Sequence, residues 1–198
     1  MIKKILLVVV ALVLASTPAM AKKVAGVDMP DSMIVGKVNL IFNGAGLLKI
    51  TVPNMGVVDV YVVGLYLKNK SSDAMKIINS NETMALKLRN VSDSTPEDYS
   101  DGFLKGFNKT CKNLGIDQKN IENDIKLFLN FLKGGMAKND IFDFTYSNTN
   151  GIQVFKNKNR TPMVTIKNIT FKRALFGFWL TDRPEDNRIA VRKALLGL

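Results

Sequence analysis

Histidine is absent from this 198-residue chain, and cysteine occurs once, at Cys111. Without an imidazole there is no Ser-His-Asp triad, no Cys-His dyad and no histidine-based zinc site. One cysteine allows no disulfide within the chain, so a buried apolar core has to supply the stability. Beyond the first 21 residues no apolar run approaches the roughly 20 residues of a membrane-spanning helix. No Pro/Gly/Ser-rich linker and no internal repeat divides the sequence. Acidic residues are also in short supply, 17 against 28 lysines and arginines, a formal charge of +11. The excess is mostly lysine scattered through polar segments, and it is not interleaved with exposed aromatics. That distribution argues against nucleic acid and leaves a solvated basic surface or weak contact with anionic membranes.

The opening "MIKKILLVVVALVLASTPAMA" has Lys3 and Lys4, an apolar run from Ile5 to Ala15 and the small-x-small sequence Ala19-Met20-Ala21. It reads as a cleavable signal peptide over 1–21. The expected mature chain, 22–198, is a single domain exported to the periplasm or secreted.

After a polar lead, "GKVNLIF" and "GLLKITV" read as two strands joined by a turn at Asn43 to Gly46, and "VVDVYVVGLYL" as a third. "SSDAMKIINS" reads as a short helix capped by Ser71 or Ser72, and "ETMALKLRNV" returns as a strand. The period then changes. Tyr99, Phe103, Phe107, Cys111 and Leu114 recur at spacings of four and three, which is one face of a helix. Thr95 suits its cap, with Pro96 at the first helical position. A second amphipathic helix carries Ile121, Ile125, Phe128, Leu129 and Leu132. Three strand candidates follow, "DIFDFTY", "GIQVFKN" and "TPMVTIKNITF", then the apolar helix "RALFGFWL" and a last helix from about Glu185 to Leu196. The order describes an α+β fold, an antiparallel sheet with helices packed on one face.

The strand "VVDVYVVGLYL" is apolar on both faces: Val60, Val62 and Tyr66 on one, Tyr61, Val63, Leu65 and Leu67 on the other. Each face therefore needs cover, and Gly64 marks a bulge or a close approach by backbone or ligand. Tyr99 points inward from its helix, and two readings stand. It is a core tyrosine bonded to a backbone carbonyl, or a pocket hydroxyl that orients a ligand carbonyl or carboxylate. Arg89 ends a strand and is either a surface residue or a carboxylate clamp. Trp179 and Phe176 fall at core spacing, and Gly177 between them allows close packing or leaves room for a ligand. Lys49 is a candidate cation, and Cys111 an apolar filler. Nothing here calls for a metal or a cofactor, and the oligomeric state is left open.

The segments "GAGLLKI", "VYVVGLYL", "LRNVS", "DGFLKGFN" and "FKRALFGFWLTDRPEDN", in this order and spacing, resemble the chalcone isomerase-like family, specifically its exported bacterial branch. The resemblance spans roughly Val38 to Leu198 and implies an open-faced β-sandwich with a ligand cleft between sheet and helices. The plant enzymes of the family cyclise a chalcone to a flavanone by binding a phenolate and stabilising an enolate. Their arginine falls on Leu48 here, with Lys49 next to it. Their threonine falls on Tyr61, their asparagine on Gly106 and their serine or threonine on Phe178. Only the tyrosine is matched, by Tyr99. The resemblance therefore implies a noncatalytic member that binds a small apolar or amphipathic ligand such as a fatty acid, with Lys49, Arg89 or Arg173 replacing the missing arginine. Tyr99, Tyr61, Lys49, Arg89, Gly64, Phe178 and Trp179 are the candidate ligand-binding residues. Two alternatives stay open: an isomerase or intramolecular lyase on an unknown substrate, and an envelope interaction protein whose cleft is closed by its own side chains.

Overall fold

The chain was examined as a computed structural model that describes residues 22–92, 96–182 and 187–198, with the side chains of 96–98 excluded. Residues 1–21, expected to be a signal peptide, the expected Thr95 cap and the expected helix start at Glu185 lie outside these residues. A small hairpin comes first, β1 (Lys22–Val24) and β2 (Val27–Met29), turning at Ala25 and Gly26, both with positive φ. The expected polar lead is thus structured, because Gly26 tolerates the left-handed conformation that a tight hairpin turn demands.

The main sheet has seven antiparallel strands in sequence order: β3 (Ser32–Val35), β4 (Val38–Val52), β5 (Gly56–Leu67), β6 (Met84–Asn90), β7 (Ile141–Ser147), β8 (Gly151–Lys156) and β9 (Val164–Ile166). Among the described residues five α-helices complete it: α1 (Ala74–Asn79), α2 (Pro96–Asn113), α3 (Glu122–Leu132), α4 (Ile169–Leu180) and α5 (Ile189–Leu196). Their apolar faces pack with Tyr61, Val63, Leu65 and Leu67 of β5 and with Met84, Leu86 and Leu88 of β6 in one large core. The α+β reading of the periodicity holds.

The expected turn at Asn43 to Gly46 does not form, and β4 runs straight through it for 15 residues. Asn43 is instead the extra residue of a β-bulge, since Phe42 pairs with Tyr66 and Gly44 with Leu65. Its side chain donates to the carbonyls of Ser71 (2.9 Å) and Leu195 (2.7 Å), and its Oδ1 accepts from the Ser71 N–H. The glycines serve proximity rather than turning. A Cβ on Gly44 would lie 2.0 Å from the Ala194 carbonyl oxygen, and one on Gly46 would lie 2.9 Å from the Val191 Cα. The "GAG" stretch is the seat on which α5 rests. The chain reverses later, between β4 and β5, where Asn54 and Gly56 take positive φ.

Two further local corrections have the same origin, side-chain capping. Asp73, not Ser71 or Ser72, caps α1, accepting from the Lys76 N–H. The "NIT" read as strand belongs to α4, because Asn168 accepts from the Thr170 N–H and starts the helix there.

Behind the sheet, Val27 and Met29 of β2 meet Leu40, Phe42, Val62, Tyr66 and Ala85 in a second, smaller core. This answers the two-sided apolarity of β5: helices cover one face and the N-terminal hairpin the other. The Tyr66 hydroxyl donates to the Met29 sulfur at 3.9 Å. Burial, then the Asp143 and Asp31 charges, push its phenol far above the ordinary range.

A lysine lies in the interior. Lys172 of α4 is 0% exposed and donates to the carbonyls of Ile77 (3.2 Å), Ile78 (3.0 Å) and Ser80 (2.6 Å) at the end of α1. It satisfies carbonyls that a helix C-terminus leaves without partners. Burial and the nearby Arg173 charge pull its ammonium from 10.5 down to about 8. Between these values the unfolded chain holds a proton the folded one has released, so raising the pH favours folding. Relative to Lys172→Met, the wild type is expected to gain about 2 kcal/mol of stability from about pH 7.5 to about pH 10. Urea unfolding of both proteins at the two pH values checks this, and a constant difference would refute it.

Candidate functional site

Residues of α2, α3 and α4 face residues of β4 to β7 across a cavity of about 130 Å³. Its sheet wall is Leu48 and Ile50 of β4, Val60 and Tyr61 of β5, and Leu88 of β6; its helix wall includes Phe103, Phe128, Phe178 and Trp179. Alternation predicts that Val60 and Tyr61 face opposite ways, yet both line the cavity. The reason is a second bulge: Leu48 pairs with Tyr61 and Lys49 with Asp59, which leaves Val60 extra and turns it inward.

Both tyrosines at the site are tied into the protein. The Tyr61 hydroxyl accepts a hydrogen bond from the Trp179 indole at 3.0 Å, which keeps its own O–H as a donor toward the cavity. The Tyr99 hydroxyl donates to Asn90 Oδ1 and lies 3.0 Å from Ser92 Oγ. Asn90 is fully buried, and its amide donates to the carbonyls of Ser92 (2.9 Å) and Met136 (2.6 Å). Tyr99 is therefore held by a side-chain network of Asn90 and Ser92. Asn90 eluded the sequence reading, although it continues the inward face of Leu86 and Leu88 by simple alternation.

Of the expected ligand-binding residues, the fold brings Tyr61, Tyr99, Phe178 and Trp179 together at the cavity. Three others lie elsewhere. Lys49 faces away and pairs with Asp59 at 3.3 Å on an exposed surface. Arg89 donates to Asn139 at 3.0 Å, also on the surface. Both fall on the outward-facing register, because their neighbours Leu48, Ile50 and Leu88 take the inward one. Gly64 lies on the back face, where a Cβ would stand 3.2 Å from the Met29 sulfur. The protein itself fills that gap. Arg173, weighed as a replacement cation, binds Asn79 at 3.0 Å.

Among the described residues, the cation lining the cavity is Arg188, at the start of α5. It lines the cavity, and its guanidinium stacks on the Phe178 ring, 4.4 Å from the centroid. Its position just before α5 has no periodicity to flag it. Gly177 proves to be a contact between helices, since a Cβ there would lie 2.8 Å from Leu114 and 3.0 Å from Thr110. Cys111 is buried in the core, and burial raises its thiol to about 11. Among the described residues no group of acidic, cysteine or histidine side chains is placed to hold a metal ion, and no helix is long and apolar enough to cross a membrane.

The sequence profile of the chalcone isomerase-like family matches residues 21–197. The chain belongs to the chalcone isomerase-like family. Among solved structures, this member is similar to a fatty-acid binding protein of Arabidopsis thaliana, with a TM-score of 0.66 at 17% identity, over 86% of this chain and 92% of that one. At that identity the likeness speaks for the fold. A search of curated proteins finds no match. The cavity of this family member, bounded by one sheet face and three helices, occupies the place where the open-faced sandwich expects its cleft.

Proposed function

We propose that this chalcone isomerase-like protein is an exported, noncatalytic binder of a small apolar or amphipathic ligand of the fatty-acid class. Residues 1–21 would be removed on passage to the periplasm or cell exterior, as in the family's exported bacterial branch. The observation that carries the binding reading is the cavity itself, apolar on both walls, with polar ends contributed by Tyr61, Tyr99 and Arg188. No carboxylate lines it among the described residues. The fatty-acid binding of the Arabidopsis protein supports the same ligand class.

The volume bounds the ligand. A cavity of about 150 Å³ accommodates benzene, and drug-sized sites run from about 300 to 1,000 Å³. At about 130 Å³ the site takes a ring or a short chain segment. Tyr61 and Trp179, hydrogen-bonded to each other, are among its walls, and a cleft this small also supports the alternative of an interaction protein closed by its own side chains.

Native mass spectrometry of gently purified protein is expected to show adducts in the mass range of small lipids, and a panel of fatty acids should raise the melting temperature. Gly102 lines the cavity, and a Cβ there meets open space. Gly102→Trp should therefore fold, plug the site and abolish both effects. A bare mass together with an unmoved melting temperature across the panel would rule the binding reading out in favour of the closed cleft. Incubation with chalcones should give no flavanone above the spontaneous rate.

A further inference from the structure

The hairpin that joins β4 to β5 runs on past the rest of the sheet. β6 pairs with β5 only from Tyr61 onward, and β3 pairs with β4 only as far as Ile41. Lys49 to Asp59 therefore form a two-stranded arm with no strand at either edge among the described residues. Its turn is closed by the Met55 N–H, which donates to the Val52 carbonyl at 3.1 Å, and it leaves Met55 73% and Val57 67% exposed. Pro53 is exposed beside them. Two large apolar side chains on one exposed turn carry a hydration cost that burial would relieve. The base of the arm has basic neighbours. Ile50, about 7 Å below Val52 by strand rise, borders a surface recess of about 350 Å³ together with Lys105 and Lys109 of α2. The exposed side of α2 carries these two and Lys112 against one acid, Asp101, and none of the three lysines is ion-paired among the described residues. The arm's own charges cancel, since Lys49 pairs with Asp59 at 3.3 Å.

We propose that this arm docks on an anionic lipid surface, with Pro53, Met55 and Val57 entering the head-group layer and the lysines of α2 reaching for its phosphates. The proposal concerns the outside of the molecule and stands whether or not the cavity holds a ligand. A small apolar insertion and a few lysines each bind a bilayer weakly, and together they make a reversible peripheral attachment. Long lysine stems lie along apolar surface while their ammonium groups reach the polar layer, so cations set back from the tip still contribute. Insertion is shallow, because the free backbone groups at the arm's edges need water or head groups as partners and hydrocarbon offers none. A second copy of this chain is the poorer occupant. A two-fold contact through the arm would set the α2 lysines of one protomer near those of the other, and the excess of 28 basic over 17 acidic residues adds to the repulsion.

Vesicle co-sedimentation of residues 22–198 tests this. The apolar segment 1–21 would bind lipid by itself, and 22–198 holds every described element and nearly all of the family match. Vesicles of phosphatidylglycerol mixed with phosphatidylcholine are expected to bind at least about tenfold more tightly than phosphatidylcholine alone, and salt well above physiological strength should remove most of that preference. Met55→Ser/Val57→Thr should weaken binding to the mixed vesicles at least about tenfold. Lys105→Gln/Lys109→Gln should do the same, a lysine near an anionic bilayer contributing about fivefold. All four side chains are exposed, so each variant should melt within about 2 °C of wild type. Ile34→Thr/Lys37→Gln is the matched control, removing an apolar side chain that is also 73% exposed and a lysine at the opposite end of β4. It should leave binding within about twofold, being farther from the arm than charge interactions reach. Equal affinity for both vesicle types, a tip variant that binds like wild type, or a control variant as impaired as the tip variant overturns the proposal. Self-association in ultracentrifugation that the tip variant abolishes, without vesicle binding, overturns it in favour of a second copy. Each of these outcomes leaves the ligand-binding reading where it stands.

Discussion

Gly44→Ala is expected to destabilise the protein by about 3 kcal/mol or more. The new Cβ would stand 2.0 Å from the Ala194 carbonyl oxygen and 2.9 Å from that of Leu195. Both obstacles are backbone, so no rotamer change relieves them. Either β4 bends away or α5 lifts, and α5 is anchored by the buried Val191, Leu195 and Leu196. Total stabilities of such domains are about 5–15 kcal/mol, so the loss would be plain in a urea melt as a lower midpoint. Because Arg188 precedes α5, lifting the helix should also weaken the retention of anionic ligands. Gly102→Ala is the matched comparison. Its Cβ meets nothing within 4 Å inside helix α2, and relief of glycine's helix penalty should add about 0.5–1 kcal/mol. A Gly44→Ala protein within about 0.5 kcal/mol of wild type would show that α5 does not rest on β4 in this way.

Asn90→Ala should be the most damaging polar substitution, at about 3 kcal/mol. The amide bridges the end of β6 to the segment after α3 through the Met136 carbonyl and to α2 through the Tyr99 hydroxyl. Truncation takes this donor from the buried Met136 carbonyl and removes one acceptor from the Tyr99 hydroxyl. Tyr99→Phe removes one hydroxyl and should cost about 1 kcal/mol. The two losses should not add. A double-mutant cycle is expected to return a coupling of about 1 kcal/mol, since each variant removes the same bond. Additive losses would mean that Asn90 acts only on the loops around Ser92 and Met136. Should Asn90→Ala also abolish ligand uptake while Tyr99→Phe retains it, the network's role is to hold the cavity wall in shape rather than to contact ligand.

Periodicity carried much of the architecture. The Tyr99–Phe103–Phe107–Cys111 stripe is the buried side of α2, and the two-sided apolarity of "VVDVYVVGLYL" announced a covered central strand. Local chemistry, by contrast, misled at "NGAG", where Asn-Gly looks like a hairpin turn. A glycine's reason for being there was a helix 150 residues away in sequence, and no window of local pattern contains it. The same holds for the site. Lys49 and Arg89 were attractive as cations, but strand register sends them outward because their apolar neighbours claim the inward positions. Val60 joined the cavity only through a bulge, which breaks the alternation that placed it outside. Arg188, the cation the cavity does have, lies outside any regular pattern.

By itself, then, the sequence determined the class of fold, the strand-and-helix order, the absence of histidine chemistry and the apolar character of the cleft, because these depend on composition and on periods of two and 3.6 residues. The tertiary structure decided which charged side chain meets the cavity, how wide the cavity is, and that Gly64 is filled by Met29 and Gly44 by α5. Those outcomes depend on packing between segments far apart in the chain, where a bulge of one residue or a seat without a Cβ changes which atoms meet.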